Sequence, residues 1–269
     1  MTDKVEYFRL SDSHDLMLSQ GAYSEYTFKP HYHIDFHIGL VVSGVQEQKF
    51  NRNKVLLAPG RISVMPPGEV HDGITYRDSP YQLNTFRISP ELVQACFSDM
   101  FSVNNLPQFG GAMVENHQIS QQLVYLFNYL KHQKEITSLP FEEQWLKTLL
   151  PLLENLTKRK STVVKGALSD KHLNWVVEYC HENISDKISL DQLSSLSDLN
   201  RYQFLRRFEK SVGITPHKWL TQLRLERACQ LMRKSDKSIA EISAEVGFFD
   251  QSHFNRAFKS LYGVAPSMY

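Results

Sequence analysis

The chain has 269 residues, of which 42% are hydrophobic and 22% charged, a composition typical of a soluble protein with room for two domains. Its formal net charge of +1 gives no argument for nucleic-acid binding, which would depend on locally placed charge. The three cysteines are far apart, which favours reduced thiols. No apolar stretch approaches the ~18 residues of a membrane helix, and we expect a cytoplasmic protein.

The sequence pattern of residues from about 20 to 111 is typical of a β domain. Short apolar runs, such as Gly39–Val42 and Arg61–Met65, alternate with Gly, Pro and Asn residues. This pattern predicts short strands that form a small barrel or sandwich. We place the corresponding effector-binding domain at residues 1–112.

Four histidines stand out in the β region. His31, His33, Asp35 and His37 occupy every second position, so on a single predicted strand all four side chains point to one face. His71 follows a Pro-Pro-Gly turn further along the chain. Three interpretations stay open for these histidines. They form an all-imidazole site for a divalent metal such as Zn, Ni or Fe, they hydrogen-bond a small metabolite, or they lie on a solvated or internally satisfied surface.

The apolar period becomes helical from about residue 116. The apolar face of the first predicted helix consists of Ile119, Leu123, Leu126, Phe127 and Leu130. A second helix follows, and its Leu146 and Leu150 widen the apolar surface beyond one face. The helices of residues 113–156 therefore pack on the β domain, pair with a second copy of the chain, or do both.

The next segment, residues 157–169, begins with a polar and basic run that has no apolar period. This composition predicts a linker. The remaining residues, 170–269, are predicted to form a second, all-α domain.

One pattern occurs twice in this second domain. The segment Phe204–Phe208 leads to Gly213–Pro216, and Phe254–Phe258 leads to Gly263–Pro266 with the same internal spacing. A short apolar helix and a tight turn precede each copy, which is the layout of a helix-turn-helix motif that binds DNA. A stacked helical array would need about three or more copies. The two predicted motifs span about residues 188–211 and 238–261.

The second helix of each motif has a local signal at its start. Asn200 and Asp250 stand where an N-cap residue belongs. In the turn before these caps, Asp198 takes the position that Gly247 takes in the other copy. Asp tolerates the left-handed conformation less well than Gly but better than most residues.

The phenylalanine pair of each second helix is spaced i, i+4 and faces the local core, which leaves the opposite face outward. Arg can bind guanine and Gln can bind adenine through paired hydrogen bonds. The predicted base contacts are Tyr202, Leu205, Arg206, Gln251, Ser252 and Arg256. The predicted phosphate contacts are Arg201, Arg207, Lys210 and Lys259. A surface salt bridge to Glu209 or Asp250 is the alternative role for Arg206 and Arg256.

A predicted helix of about 18 residues joins the two motifs and would be about 27 Å long. That length suits a strut that holds two DNA-reading helices near one turn of the duplex, ~34 Å, apart. One chain can then read two adjacent major grooves.

These features resemble the DNA-binding domain of the AraC family of bacterial transcription regulators. The resemblance covers residues 170–269 and depends on the strut motif Arg224–Met232 and on the longer motif Ile242–Pro266. It implies that the base-contacting positions fall on the side chains named above. The sequence departs from the family pattern at Ser194 and Ser243, where a small Ala is usual.

The β region resembles a cupin barrel, which the AraC family often carries as its effector-binding domain. His31, His33 and Gly44 match the first cupin motif, and Gly60–His71 matches the second. His37 stands where metal-binding cupins place a Glu. A metal-dependent cupin enzyme is the rival functional class, but no separate nucleophile or carboxylate pair accompanies the histidines, so we expect no enzyme.

Together the patterns predict an α+β two-domain fold, with a cupin-like β-barrel, covering or dimerising helices, and a C-terminal all-α double helix-turn-helix domain. We expect a DNA-binding transcription regulator that responds to a small-molecule effector and acts as an activator. A metal-responsive regulator is the alternative, with a divalent metal at the barrel histidines His31, His33, His37 and His71. The expected partners are double-stranded promoter DNA, the effector, RNA polymerase and a second copy bound through the helices of residues 116–156.

Overall fold

The fold is seen in a computed structural model that describes residues 3–10, 15–50, 53–97, 110–133, 145–149, 151–153, 156 and 166–269. The chain divides into two compact units, residues 1–161 and 162–269. The predicted two-domain α+β fold is confirmed, because the first unit is rich in β-strands and the second is helical. Leu150 and residues 157–165 of the predicted linker lie outside the described residues. Among the helices that are described, none has the length and apolar character needed to cross a membrane.

The first unit is built from antiparallel strands. They are β1 (Lys4–Arg9), β2 (Leu16–Tyr23), β3 (Phe28–His31), β4 (Phe36–Ser43), β5 (Gln46–Phe50), β6 (Asn53–Leu57), β7 (Arg61–Met65), β8 (His71–Thr75), β9 (Tyr81–Ile88) and β10 (Ala112–Glu115). Strands β1-β2-β9-β4-β7-β10 form one sheet and β3-β8-β5-β6 form another. The described strand pairings thus give two antiparallel sheets, the arrangement of a sandwich, and no closed barrel is formed by the described strands.

The turn at Gly44 explains part of this separation. Gly44 lies between β4, in the larger sheet, and β5, in the smaller sheet. Its φ of 74° is in the left-handed region, and a Cβ there would collide with the Pro80 carbonyl and Tyr81. Glycine therefore allows the abrupt change of direction that sends the chain from one sheet to the other.

In the strands of the larger sheet, successive side chains lie on opposite faces of the sheet. In β4, Phe36, Ile38 and Leu40 belong to the main hydrophobic core. Val41 packs instead with Leu57 of the smaller sheet, so the other face of β4 looks into the space between the sheets. This period of two is the one expected of a strand that is covered on both sides.

Helices cover the outer face of the larger sheet. They are α1 (Pro90–Phe97), α2 (His117–Gln133) and the helical residues 145–149 and 151–153. Phe86 of β9 contacts Phe127 of α2 at a ring-centroid distance of 5.6 Å and Trp145 at 6.0 Å. The Asn116 side chain caps α2 by accepting a hydrogen bond from the Ile119 amide at 3.0 Å. The main core of the unit therefore lies between this sheet and the helices.

The second unit consists of short and long helices. They are α3 (Asp170–Glu182), α4 (Leu190–Ser195), α5 (Arg201–Val212), α6 (Pro216–Lys234), α7 (Ile239–Glu245) and α8 (Gln251–Tyr262). The predicted N-caps are confirmed, since Asn200 accepts a hydrogen bond from the Gln203 amide at 2.9 Å and Asp250 from the His253 amide at 2.6 Å. Both α5 and α8 end at a left-handed glycine, a common helix terminator.

The turns of the two helix-turn-helix motifs share an unusual backbone conformation. Asp198 has a φ of 51° and Gly247 a φ of 80°, so the predicted equivalence of these positions is confirmed. A Cβ at Gly247 would lie 2.6 Å from the Ile184 carbonyl oxygen. Only the second turn therefore requires glycine for space as well as for conformation.

Substitutions at these two turns should have different effects on the free energy of unfolding. Gly247→Ala should lower it by about 1–3 kcal/mol, since it adds left-handed strain and a close contact with backbone. Asp198→Gly should be neutral or stabilising because it relieves strain. Urea unfolding of the full chain, followed by circular dichroism, measures both, and equal losses would contradict the explanation.

Candidate DNA interface and ligand pocket

The two helices α5 and α8 have the same division into a buried and an exposed face. Phe204 and Phe208 of α5 and Phe254 and Phe258 of α8 are fully buried. The predicted contacts with an exposed side chain are Arg201, Tyr202, Arg206, Arg207, Lys210, Gln251, Ser252, Arg256 and Lys259. Leu205 is only half-exposed, so it presents less surface than its neighbours. The residues predicted from the repeat therefore lie on outward faces of the two helices.

Two arginines of α5 have defined partners. Arg201 forms two hydrogen bonds and an ion pair with Asp191 of α4. The Arg206 guanidinium lies 5.7 Å from the centre of the Tyr202 ring, within the range of a cation–π contact. Arg206 and Tyr202 thus form one outward pair, whereas Arg201 is tied to the neighbouring helix.

The strut helix α6 joins the two motifs. It packs against α5, α7 and α8. Its buried Glu226 accepts a hydrogen bond of 2.7 Å from the Tyr262 hydroxyl at the end of α8. Arg224 donates to the backbone carbonyls of Ile184 at 3.0 Å and Asp186 at 2.6 Å, in the segment before α4. These polar contacts at buried and half-buried positions fix both motifs to one support.

Phe249 was not predicted to have a functional role. Its side chain is 95% exposed and directly precedes the cap Asp250 of α8. The adjacent Phe248 is buried and contacts Phe254 at 5.2 Å between ring centroids. In the sequence, two consecutive phenylalanines in a tight turn indicate that one ring is exposed, because only one of the two can pack beneath the turn.

The four histidines meet inside the first unit. His31 lies at the end of β3, His37 in β4 and His71 at the start of β8, while His33 lies between β3 and β4. All four side chains are buried. The ring centroids of His31 and His71 are 4.4 Å apart, and those of His33 and His37 are 4.8 Å apart. The prediction of a common cluster holds, but the prediction of a single strand is wrong.

The residues between His31 and His37 explain that error. Residues 32–35 leave the sheet between β3 and β4, and the Asp35 carboxylate accepts a hydrogen bond of 3.0 Å from Arg87 of β9. Both side chains of this pair are buried. The alternation of histidines is therefore produced by two strand ends and a connecting turn.

Backbone carbonyls orient two of the imidazoles. His31 Nδ1 lies 2.8 Å from the Lys29 carbonyl oxygen, and His71 Nδ1 lies 3.0 Å from that of Glu69. A carbonyl oxygen only accepts, so each Nδ1 carries a hydrogen and donates it. Burial is the main cause that lowers the pKa of His33 and His37 well below the usual value. The latter two side chains are therefore neutral near pH 7.

Further polar groups line the space between the sheets. Gln46 and Gln48 alternate on β5 and are buried, and Gln46 donates a hydrogen bond of 2.9 Å to the Tyr81 hydroxyl. In the part of the chain that is described, the Gln46 and Gln48 Oε1 atoms and His37 Nδ1 have no hydrogen-bond partner. Buried acceptors and donors of this kind suit a polar ligand. The sequence analysis missed both glutamines, which offered only a Gln-x-Gln pattern as a signal.

The buried pair of Asp35 and Arg87 should be sensitive to loss of one charge. Asp35→Ala leaves the Arg87 guanidinium without its carboxylate and should lower the free energy of unfolding by about 3–5 kcal/mol. The double substitution Asp35→Ala with Arg87→Met should recover most of the loss, since no buried charge then remains. Denaturant unfolding compares the variants, and a double variant as unstable as Asp35→Ala would refute the explanation.

Comparison with known proteins identifies both units. A family model described as the AraC-like ligand binding domain matches residues 14–149, half of the chain, and a helix-turn-helix domain model matches residues 193–269. The HTH-type transcriptional regulator MtrA of Neisseria gonorrhoeae is 33% identical over 109 residues, which cover 40% of this chain and 36% of MtrA. The chain thus spans only about a third of that relative.

Longer matches cover nearly all of the chain. The HTH-type transcriptional activator RhaS of Escherichia coli is 26% identical over 243 residues, covering 88% of this chain and 86% of RhaS. The crystal structure of ToxT from Vibrio cholerae has the same fold, with a TM-score of 0.60, 16% identity, and coverage of 99% of this chain and 96% of ToxT. Since family models match both units, the chain belongs to the AraC family of DNA-binding transcription regulators.

Proposed function

We propose that this regulator reads duplex DNA with α5 and α8, each placed in one of two adjacent major grooves. The proposal rests on one observation, which is that α5 and α8 each have one buried face and one exposed face. In each, a buried phenylalanine pair fixes the rotation of the helix, and polar and basic side chains cover the opposite side. A helix with this division can enter a major groove while its apolar face stays in the protein core.

The proposed base contacts differ between the two helices. In α5 they are Tyr202, Leu205 and Arg206, where the Arg206 fork suits guanine and the two other side chains suit the thymine methyl group. The half-buried Leu205 contributes the least surface. In α8 they are Gln251, Ser252 and Arg256, all of which are exposed. The α8 set consists of hydrogen-bonding groups, which favours direct readout of base edges.

Basic side chains beside these positions are proposed to bind phosphates. Arg207, Lys210 and Lys259 are exposed and can approach the DNA backbone as point charges. Arg201 is already engaged with Asp191. Arg201 therefore contacts a phosphate only if it shares or releases the Asp191 carboxylate. Its contribution to DNA affinity should be the smallest among these four basic residues.

The length of the strut supports the placement in successive grooves. Helix α6 has 19 residues, which corresponds to about 28 Å. One turn of duplex separates successive major-groove faces by ~34 Å. Because α6 packs against both α5 and α8, it holds the two helices on one support.

The first unit is proposed to bind a small polar effector between its two sheets. The histidine cluster and the buried glutamines Gln46 and Gln48 supply the hydrogen-bonding groups, so the histidines serve recognition and not catalysis. An effector that favours one arrangement of the chain shifts the population toward it. We infer that the bound form activates transcription in the cytoplasm by contact with RNA polymerase, as the activator name of RhaS suggests.

Base and phosphate contacts should respond differently to substitution. Arg206→Ala or Arg256→Ala should each relax the preference at one base position and cost about 1–3 kcal/mol on the preferred site. Lys259→Ala should weaken all sequences alike and reduce the salt dependence by about one phosphate contact. The site is first selected from a randomised duplex library, and affinities are then measured by fluorescence anisotropy at several salt concentrations.

A charge-matched control lies on the strut. Arg227 is exposed on α6, outside the two reading helices, so Arg227→Ala removes the same charge and should leave sequence preference unchanged. Equal and sequence-independent losses for Arg206→Ala, Arg256→Ala and Lys259→Ala would contradict the assignment of base contacts.

We also propose that the helices of residues 116–156 pair with a second copy of the chain. Large apolar side chains remain outside the core there: Tyr125 of α2 is 64% exposed and Leu146 of the following helix is 37% exposed. Uncovered apolar groups on adjacent helices favour a protein contact.

A charged side chain introduced at this surface should separate the two copies of the chain. Leu146→Glu should convert a dimer to a monomer in sedimentation velocity, because a carboxylate would be buried without a partner. Ile74 of β8 has the same exposure of 37%, so Ile74→Glu is the matched control and should not change the assembly. A monomeric unsubstituted chain, or a dimer that survives Leu146→Glu, would exclude this surface.

A further inference from the structure

The turn of the second helix-turn-helix motif is one residue longer than the turn of the first. In the first motif, one residue separates the left-handed Asp198 from the helix cap Asn200. In the second motif, two residues separate the left-handed Gly247 from the helix cap Asp250. Since both ends of the two turns are equivalent, the second turn contains one inserted residue.

Backbone hydrogen bonds identify the inserted residue as Phe249. The Leu199 amide donates to the Ser194 carbonyl at 3.3 Å, and the Phe248 amide donates to the Ser243 carbonyl at 3.0 Å. Leu199 and Phe248 therefore take the same place in the two motifs. The next residue of the second motif, Phe249, has no counterpart in the first.

The inserted side chain contributes no packing to the domain and is held outward from both sides. Its exposed fraction of 95% is the largest among the exposed large hydrophobic residues of the described chain. Before it, the Phe248 ring is buried against Phe254. After it, the Asp250 side chain accepts a hydrogen bond of 2.6 Å from the His253 amide and so fixes the start of α8. The position of the Phe249 backbone is therefore set by its neighbours, and its ring faces solvent.

The place of Phe249 in the chain brings it close to the proposed base contacts of α8. In a helix-turn-helix motif, the first residues of the second helix contact the base edges, and here these residues are the exposed Gln251 and Ser252. Phe249 lies two positions before Gln251, so their Cα atoms are at most about 7 Å apart. That distance corresponds to about two steps of 3.4 Å along a DNA strand. A ring at this point can reach a base beside those that α8 reads.

The chemistry of the ring selects its partner on the DNA. A phenyl group carries neither a charge for a phosphate nor a hydrogen-bonding group for a base edge. The apolar group that the major groove offers is the C5-methyl group of thymine, which a Phe side chain can contact. Residues 250–253, which follow the ring along the chain, are polar and exposed. They do not extend the ring into the contiguous apolar patch that marks a protein-binding surface, so duplex DNA is the better match.

We propose that Phe249 contacts the methyl group of one thymine at the edge of the bases read by α8, and thereby selects a T·A pair at that position. The inference rests on the proposed function, because it requires α8 to lie in a major groove. The contact removes the methyl group and part of the ring from water. Burial of one group of this size corresponds to about a fourfold change in affinity.

The test removes the methyl group and the ring separately and then together. The unsubstituted full chain selects a site from a randomised duplex library, and each thymine of that site is replaced in turn by deoxyuridine, which lacks only the methyl group. One replacement should lower the affinity of the unsubstituted chain about fourfold. Phe249→Ala should weaken binding to the thymine site by at least as much. The same deoxyuridine should have no further effect on Phe249→Ala, because both changes remove one contact.

Two further variants serve as controls. Phe249→Leu keeps an apolar side chain and should retain part of the preference for thymine over deoxyuridine. Met268, which is 72% exposed and lies outside the two reading helices, is the matched apolar residue, and Met268→Ala should bind as the unsubstituted chain does. Because Phe249 is exposed, Phe249→Ala should also melt at the same temperature as the unsubstituted chain.

Several outcomes would overturn the inference. One is a deoxyuridine effect that is equal in Phe249→Ala and in the unsubstituted chain, and another is the lack of any deoxyuridine effect. Loss of transcription activation by Phe249→Ala with unchanged DNA affinity would place the ring against RNA polymerase instead. Arg256→Ala is measured on the same duplexes. A relaxed preference in Arg256→Ala alone would refute only the Phe249 contact, whereas an unsubstituted chain that selects no site would refute the proposed function as well.

Discussion

Burial of one phenylalanine pair in each reading helix is the constraint from which the DNA interface follows. Phe204 and Phe208, like Phe254 and Phe258, are one helical turn apart and fully buried, and truncation of a buried Phe typically costs about 3–5 kcal/mol. The helices therefore cannot rotate about their axes without losing a large part of the stability of the unit. Since the rotation is fixed, the side chains that face outward are fixed as well, and the strut α6 fixes the spacing between them.

The two motifs share this constraint but differ in chemistry. The α5 helix carries a denser set of basic side chains and an outward Tyr202–Arg206 pair, whereas the outward face of α8 is more neutral and hydrogen-bonding. Phosphate contacts contribute affinity that is independent of sequence, and base contacts contribute discrimination. With the contacts proposed above, the first motif would anchor the chain on DNA and the second would select the site. Asp191 reduces this difference, because it pairs with Arg201 at the start of α5.

The helical unit was largely predictable from sequence, and the proposed effector pocket was not, for a physical reason. Caps such as Asn200 and Asp250, and the i, i+4 phenylalanines, act over one or two turns of a helix, so their signals are local. The pocket depends on pairing between distant strands, such as β3 with β8 and β4 with β9. Alternation of His31, His33 and His37 looked like one strand because the pattern does not reveal that the chain leaves the sheet at residues 32–35, between β3 and β4. Gln46 and Gln48 were missed for the same reason, since only the fold shows that they face the histidines' side of the unit.

In the first unit, the main hydrophobic core lies apart from the proposed effector site. The outer face of the larger sheet, with Phe36, Ile38 and Leu40, forms the main core with the covering helices, so the space between the sheets does not have to be an apolar core. That space can keep polar atoms such as Gln48 Oε1 and His37 Nδ1, which have no partner among the described residues and which cost free energy when they stay unpaired. A ligand that supplies the missing partners gains that free energy on binding. If the effector contacts are made in only one arrangement of the chain, the same gain becomes the difference in affinity that a regulator needs.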